Sequence, residues 1–331
     1  MADIRVMRED LRPPAPPPKR HFISIKDVTR DDVERLLATA RTFERSLERE
    51  VKKLPTLKGR LVINVFYESS TRTSSSFELA AKRLSADTMS IKSSGSSVDK
   101  GESLKDTAIT LGAYDPDVIV IRHPQIGAPH LVARVTDAHV VNAGDGKHQH
   151  PTQALLDLYT IREELGRLEG LHVAIVGDVL HSRVARSLIQ ALALTGAEVT
   201  LVGPPTLLPR GIESMGCETS TDIAAIGSAD VVYVLRMQRE RMQEGANYVP
   251  SLREYTACWG VTPERLRPGQ KVMHPGPMNR GVEIDPAVAD AADALIQEQV
   301  RAGLVVRMAV LYDLLTHGPA AVPAAVPLEV A

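Results

Sequence analysis

Only two cysteines occur in the 331 residues, Cys217 and Cys258, and neither has the CxxC spacing of a zinc or redox site. No apolar run is long enough to cross a bilayer and no signal peptide is recognisable, so a cytoplasmic protein with reduced thiols is expected. Charge of one sign is not in surplus either. A formal net charge of -2 lacks the basic excess of nucleic-acid-binding domains, so neither nucleic acid nor an anionic membrane is an expected partner. Nucleotide fingerprints are also missing: GxxxxGK[ST] occurs nowhere, and the turn that would carry GxGxxG reads Gly177-Asp178-Val179-Leu180-His181-Ser182. Without the third glycine, helix and strand do not pack closely over a pyrophosphate. NAD and ATP are therefore poor ligands for this chain, and no cofactor is expected.

What is present suits an enzyme with two cores. The length suggests two domains, and 44% hydrophobic residues suffice to fill both. Residues 1–20 include Arg12-Pro13-Pro14-Ala15-Pro16-Pro17-Pro18-Lys19-Arg20, an extended polyproline-like stretch expected to be disordered, and residues 319–331 are a loose tail of Ala, Val and Pro without period. Between them, helical and strand signals alternate. Thr29-Arg30-Asp31-Asp32 reads as a capping box, followed by Val33, Leu36, Leu37, Ala40, Phe43 and Leu47 on one helix face. Short apolar strands are expected at 61–67, 87–91, 117–121 and 138–142, and again at 171–176, 197–202 and 230–235, separated by helical stretches. A long helix starts at Pro151, and residues 291–317 read as another. The fold class is α/β.

Ser70-Thr71-Arg72-Thr73 lies between the strand at 61–67 and a helical stretch beginning near Phe77. A strand feeding a hydroxyl-rich turn that opens a helix gathers free N–H groups, the positive end of the helix dipole, hydroxyls and a guanidinium, which together suit a phosphate. Ser and Thr are also ordinary helix caps, so the turn alone leaves both readings open. Arg122 follows an apolar strand and is either a surface charge or a ligand at a carboxyl edge. His148 and His150 stand near Asp145, but no third ligand occurs at helical or loop spacing, so no metal is expected. The segment Ser93-Ser94-Gly95-Ser96-Ser97-Val98-Asp99-Lys100 reads most simply as an exposed loop.

Taken in order, Ser70-Thr71-Arg72-Thr73, Lys100-Gly101-Glu102-Ser103, Arg122-His123-Pro124-Gln125, Asn142 to Gly146, His148 to Gln153 and His274-Pro275-Gly276-Pro277 resemble the catalytic chains of the aspartate carbamoyltransferase family over about residues 21–317. The resemblance implies two parallel-sheet domains with helices on both faces, joined by two long helices. Residues 21–150 plus 292–318 would bind carbamoyl phosphate and residues 151–291 L-aspartate. The phosphate falls to Ser70, Thr71, Arg72, Thr73 and Arg122. Thr73, Arg122 and His150 would donate to the carbonyl oxygen, and Gln153 with the carbonyls of Pro275 and Gly276 would hold the carbamoyl NH2. Arg183 is assigned to the α-carboxylate of aspartate, and Arg236 and Gln238 to its side chain. Arg186, Arg239 and Arg241 read as solvated or structural. Gly276–Pro277 is a candidate cis peptide. Ser96 and Lys100 would enter the site of a neighbouring subunit, which makes the assembly a homotrimer with shared sites. A regulatory chain or a dihydroorotase as further partner stays open.

Ser74 and Asp99 depart from the family pattern, where basic residues are common. Two alternatives remain. Ornithine carbamoyltransferases carry His-Cys-Leu-Pro where this chain has His274-Pro275-Gly276-Pro277, and an arginine at 236 would repel ornithine's ammonium. A catalytically silent ligand-binding homologue would not need the full set of charged residues. No side chain stands out as the base for the aspartate amine.

Overall fold

The structure, a computed structural model, describes residues 20–92, 101–238, 241–242 and 248–316. The proline-rich stretch up to residue 19 and the tail from 317 lie outside the described residues, as do Ser96 and Lys100. Residue 20, expected in the loose tail, is instead anchored: its guanidinium lies 3.4 Å from Asp313 and 3.6 Å from Asp32.

The chain opens with α1 (Arg30–Ser46), whose Thr29–Asp32 capping box forms as its sequence implies. The first sheet then builds as β1 (Leu61–Phe66), α2 (Thr71–Arg83), β2 (Asp87–Lys92), α3 (Leu104–Gly112), β3 (Val118–His123), α4 (Ala128–Val135) and β4 (His139–Asp145). A long helix, α5 (Pro151–Leu165), leads to the second set: β5 (His172–Val176), α6 (Arg183–Leu194), β6 (Glu198–Val202), β7 (Glu218–Ser220), β8 (Val231–Val234), α7 (Leu252–Trp259), β9 (Lys271–Met273) and α8 (Pro286–Ala289). The last helix, α9 (Ile296–Thr316), packs on α1, α2 and α5 and so returns the chain to the first sheet.

Both sheets are wholly parallel, in the orders β2-β1-β3-β4 and β7-β6-β5-β8-β9. Parallel strands are buried on both faces, and these alternate accordingly. Val62, Val118, Val120 and Val141 pack into the core that contains α1, α2, α5 and α9, whereas Ile63, Val65, Ile119, Ile121 and Val140 pack on α3 and α4. In the second sheet Val173, Ile175, Leu201 and Tyr233 join that same large core, while Ala174, Val176, Val202 and Val232 face a smaller one with Ile226, Ile284 and Val288. One continuous apolar core therefore runs through α5 and α9 from sheet to sheet.

Several boundaries differ from the sequence expectation. β3 runs on to His123, which puts Arg122 inside the strand, paired in register with Phe66. Residues 291–295 are not helical; Leu295 donates its N–H to Val272 and ties the chain to β9 before α9 begins. β7 and β9 are only three residues each, too short to show a period of two.

Candidate functional site

In each sheet the strand order reverses once, between β1 and β3 and between β5 and β8. Ligands of open α/β sheets bind outside the carboxyl ends of the strands at such points. A cleft of about 420 Å³ lies there, lined by Arg122 near the end of β3 and by segments that follow β1, β4, β5, β8 and β9. Ser70, Thr71, Arg72, Thr73, Arg122, His150, Gln153, Arg183, Arg236, Gln238, Pro275 and Gly276 all line it. The structure thus brings together every expected site residue except Ser96 and Lys100, which lie outside the described residues.

Local chemistry explains each placement. Ser70 caps α2, its hydroxyl accepting from the Thr73 N–H at 3.3 Å, so the first-turn N–H groups of α2 lie along the cleft wall. Pro151 opens α5 at its first position, with His150 as the residue before it; the His150 N–H donates to Ser187 at 2.8 Å. On the far wall Asp178 holds the acceptor segment, taking the Gln238 N–H at 3.2 Å and the His181 ring at 2.8 Å. Gly276–Pro277 is cis. Gly276 has φ +63, a left-handed conformation that favours glycine, and it lies against the Arg72 guanidinium, where a Cβ would come within 2.7 Å of the guanidinium carbon.

The cleft is dominated by cations. Arg72, Arg122, Arg183, Arg236, Arg241 and Arg307 line it. Glu68 faces three of these, with contacts of 2.7 Å to Arg183, 3.3 Å to Arg241 and 3.4 Å to Arg122. Burial pushes the Glu68 carboxyl up, but Arg183, Arg122 and Arg241 together outweigh it and hold it below its ordinary value. Burial lowers Arg122, Arg183 and Arg307, although each stays charged at neutral pH. His150 is driven well below the ordinary histidine value by burial, then by Arg122 and Arg183, and is therefore a neutral imidazole. His150 Nδ1 and Arg307 Nε are buried polar atoms without a hydrogen-bond partner among the described residues, and Arg122 Nε has only the Glu68 carboxylate at 3.4 Å. A guanidinium nitrogen can only donate, so the two arginines favour an anionic or carbonyl oxygen nearby.

Three residues of this cluster escape sequence reasoning. Arg241, read as solvated or structural, lines the cleft and pairs with Glu68, because the chain after β8 folds back over the turn that follows β1. Glu68 itself carries no motif. Arg307 is buried in α9, donates to Ser76 at 2.7 Å and to the Gly303 carbonyl at 3.1 Å, and lies 5.1 Å over the Phe77 ring. A Cβ on Gly303 would meet its guanidinium at 2.6 Å, which accounts for a glycine inside a helix. The available signal was a lone arginine in the run Leu304-Val305-Val306-Arg307-Met308-Ala309-Val310. Arg186 is structural, donating to the carbonyls of Lys147 at 2.9 Å and Leu180 at 3.3 Å.

Comparison with known proteins agrees over nearly the whole chain. Residues 20–163 match the family model described as aspartate/ornithine carbamoyltransferase, carbamoyl-P binding domain, and residues 169–314 match that of the Asp/Orn binding domain. The aspartate carbamoyltransferase catalytic subunit of Pelotomaculum thermopropionicum is 56% identical over 303 residues, covering 90% of this chain and 97% of the relative. Among solved structures, aspartate transcarbamoylase from Trypanosoma cruzi in complex with carbamoyl aspartate and phosphate aligns with a TM-score of 0.82 at 33% identity, over 90% of this chain and 97% of that one. The catalytic subunit of M. jannaschii aspartate transcarbamoylase aligns at 0.78 and 38% identity, over 89% and 97%.

Proposed function

The chain belongs to the aspartate/ornithine carbamoyltransferase family, and from that premise we infer that it transfers the carbamoyl group of carbamoyl phosphate to the amine of L-aspartate, giving N-carbamoyl-L-aspartate and phosphate. One observation carries this reading. The cleft is lined by donors for several anionic groups and also by Gln153, Pro275 and Gly276, whose amide and backbone carbonyls would serve as acceptors, and a carbamoyl group needs both.

The chemistry follows from that arrangement. Phosphate oxygens take the N–H groups at the start of α2, the hydroxyls of Ser70, Thr71 and Thr73, and the forks of Arg72 and Arg122. The aspartate amine attacks the carbonyl carbon, and the π pair moves onto the carbonyl oxygen. Thr73, Arg122 and neutral His150 donate to that oxygen as its charge grows, in a site where a preorganised donor is worth about 3 to 4 kcal/mol. The oxyanion then collapses, the bond from the carbamoyl carbon to the bridging phosphate oxygen breaks, and the phosphate leaves with that electron pair and accepts the amine proton. Arg183 takes the α-carboxylate, and Arg236 with Gln238 takes the side-chain carboxylate. No covalent intermediate is required; positioning and electrostatics supply the rate.

Residues 21–150 plus 292–318 form the carbamoyl phosphate half in this reading, and residues 151–291 the aspartate half. Ser96 and Lys100 are assigned to the site of a neighbouring subunit in a homotrimer, and the product to pyrimidine synthesis in the cytoplasm. Trans sharing is tested by complementation. Arg72→Ala and Lys100→Ala homotrimers should each be nearly inactive, whereas dissociated and remixed subunits should regain part of the activity. Verified hybrids without rescue would rule the arrangement out.

The test of the reaction is acceptor choice. The unmodified chain should use aspartate at least about 10³-fold better than ornithine in kcat/KM, because ornithine's ammonium would meet the like charge of the half-buried Arg236 where aspartate brings a carboxylate. Efficient ornithine turnover would overturn the substrate. Absence of any turnover would favour a silent homologue.

A further inference from the structure

Behind the cleft wall, three polar side chains close on one buried carboxyl. Asp157 lies on α5 one turn beyond Gln153 and has no solvent exposure. Its Oδ1 accepts from Gln153 Nε2 at 3.0 Å and from Gln299 Nε2 at 2.7 Å, and its Oδ2 accepts from the Tyr233 hydroxyl at 2.7 Å. Gln299, on α9, turns its Oε1 to the His274 N–H at 2.9 Å, and the His274 ring accepts the Gly276 N–H at 2.8 Å. A single carboxyl thus joins α5, β8 and α9 and reaches, through Gln299, the backbone that carries the Pro275 and Gly276 carbonyls.

A glutamine amide has one donor end and one acceptor end. Because Oδ1 can only accept, the NH2 ends of both glutamines must face Asp157. Gln153 is thereby left with its oxygen for the cleft it lines, and Gln299 with its oxygen for His274. Burial pushes the Asp157 carboxyl up to about 7, so both of its forms are populated near neutrality. A proton on Oδ2 would be donated to the Tyr233 oxygen, and Oδ1 would remain an acceptor in either form. The arrangement therefore holds across that titration.

This matters because the cleft is otherwise rich in donors, with six arginines lining it, and offers few acceptors besides the Pro275 and Gly276 carbonyls. A Gln153 amide turned the other way would point N–H at N–H. We propose that Asp157 is a positioning residue that fixes the polarity of Gln153 and Gln299, and through them selects a carbamoyl NH2 over an isosteric methyl at that end of the substrate. The inference rests on the carbamoyl-transfer reading. It adds a residue that touches no substrate but decides which acyl phosphate fits.

The experiment measures the KM for carbamoyl phosphate and the inhibition constant of acetyl phosphate, in which CH3 replaces NH2, for the unmodified chain, Asp157→Leu and Asp157→Asn. No turnover by the unmodified chain would sink the transferase reading itself; with turnover established, the ratio of the two constants tests the present inference. In Asp157→Leu the acceptor is gone, and the preference for the carbamoyl compound should fall about tenfold or more. Asp157→Asn can keep Oδ1 toward both amides and turn Nδ2 to the Tyr233 oxygen, so the preference should stay within about threefold of the unmodified value. A structural role alone would weaken both compounds equally, and an unchanged ratio in Asp157→Leu would overturn the inference. So would an Asn variant that loses selectivity as fully as the Leu variant. Should Asp157→Leu fail to fold, Gln299→Met keeps the volume, removes the link to His274, and should lower the same ratio; an unchanged ratio there would also overturn it.

Discussion

At the strand-order reversal of the first sheet, the chain offers helix N–H groups and hydroxyls from one contiguous turn, Ser70 to Thr73. At the reversal of the second sheet it offers guanidiniums, Arg183, Arg236 and Arg241, which come from separated segments. The first set is held by local geometry, since the Ser70 cap and the helix dipole form wherever α2 forms. The second is held by tertiary pairing, above all by Glu68, which follows β1 and reaches across to Arg183 and Arg241 on the other side. The first wall is therefore shaped within its own sheet. The second depends on its neighbour.

The largest expected effect comes from breaking the first set. Arg72→Ala should fold normally, because Arg72 is an exposed residue on the first turn of α2, off its apolar face. Turnover should fall about 10²- to 10³-fold, the usual loss for one preorganised donor in a dry site. Unaltered turnover in a folded variant would remove Arg72 from the mechanism.

A smaller and more selective loss is expected from the second set. Arg236→Ala should lower kcat/KM for aspartate by about 10- to 100-fold and leave carbamoyl phosphate binding nearly unchanged, since a missing partner for one carboxylate costs about 1.5 to 3 kcal/mol. Isothermal titration with carbamoyl phosphate beside steady-state kinetics with aspartate separates the two. Equal losses on both sides would mean that the walls are not independent.

The same contrast governs what was legible in the sequence. A contiguous turn between a strand and a helix carries its own geometry, so Ser70 to Thr73 offered a phosphate site beside an ordinary helix cap before any tertiary contact was known. His150 and Gln153, at the Pro151 start of a helix, had no such local signal and were singled out by the family resemblance alone. Glu68, Arg241 and Arg307 were not. Each is an ordinary charged residue whose role arises only when segments far apart in the chain meet: Glu68 with Arg241 at 3.3 Å across 173 residues, and Arg307 with Ser76 at 2.7 Å across 231. Alternating signals gave the α/β class and most strands, but β7 and β9, at three residues each, left no periodic trace. Family resemblance, not periodicity, supplied the return of the last helix to the first sheet.

The smallest effect concerns protons at the junction of the two walls. Burial, then Arg122 and Arg183, hold His150 well below the ordinary histidine value of 6.5, whereas an unfolded chain would return it there. Between the folded value and about 6.5 the unfolded state thus binds the extra proton. The contribution of His150 to stability is complete above that window and is lost as the pH falls through it, by up to about 1.4 kcal/mol per pH unit. Asp157 works in the opposite sense. Its carboxyl is pushed up to about 7 by burial, so the stability it contributes is present in acid and lost as pH rises toward neutrality. The unmodified chain should therefore show a muted net slope across weakly acidic pH. His150→Gln removes one side of this balance. Its urea midpoint should fall less than that of the unmodified chain between about pH 7 and pH 5, while Asp157→Asn should fall more, because only the histidine contribution then remains. Parallel pH profiles for the unmodified chain and His150→Gln would mean that the folded cleft leaves the imidazole as easy to protonate as the unfolded chain does. In that case burial and the neighbouring arginines would not be what keeps the assigned carbonyl donor neutral.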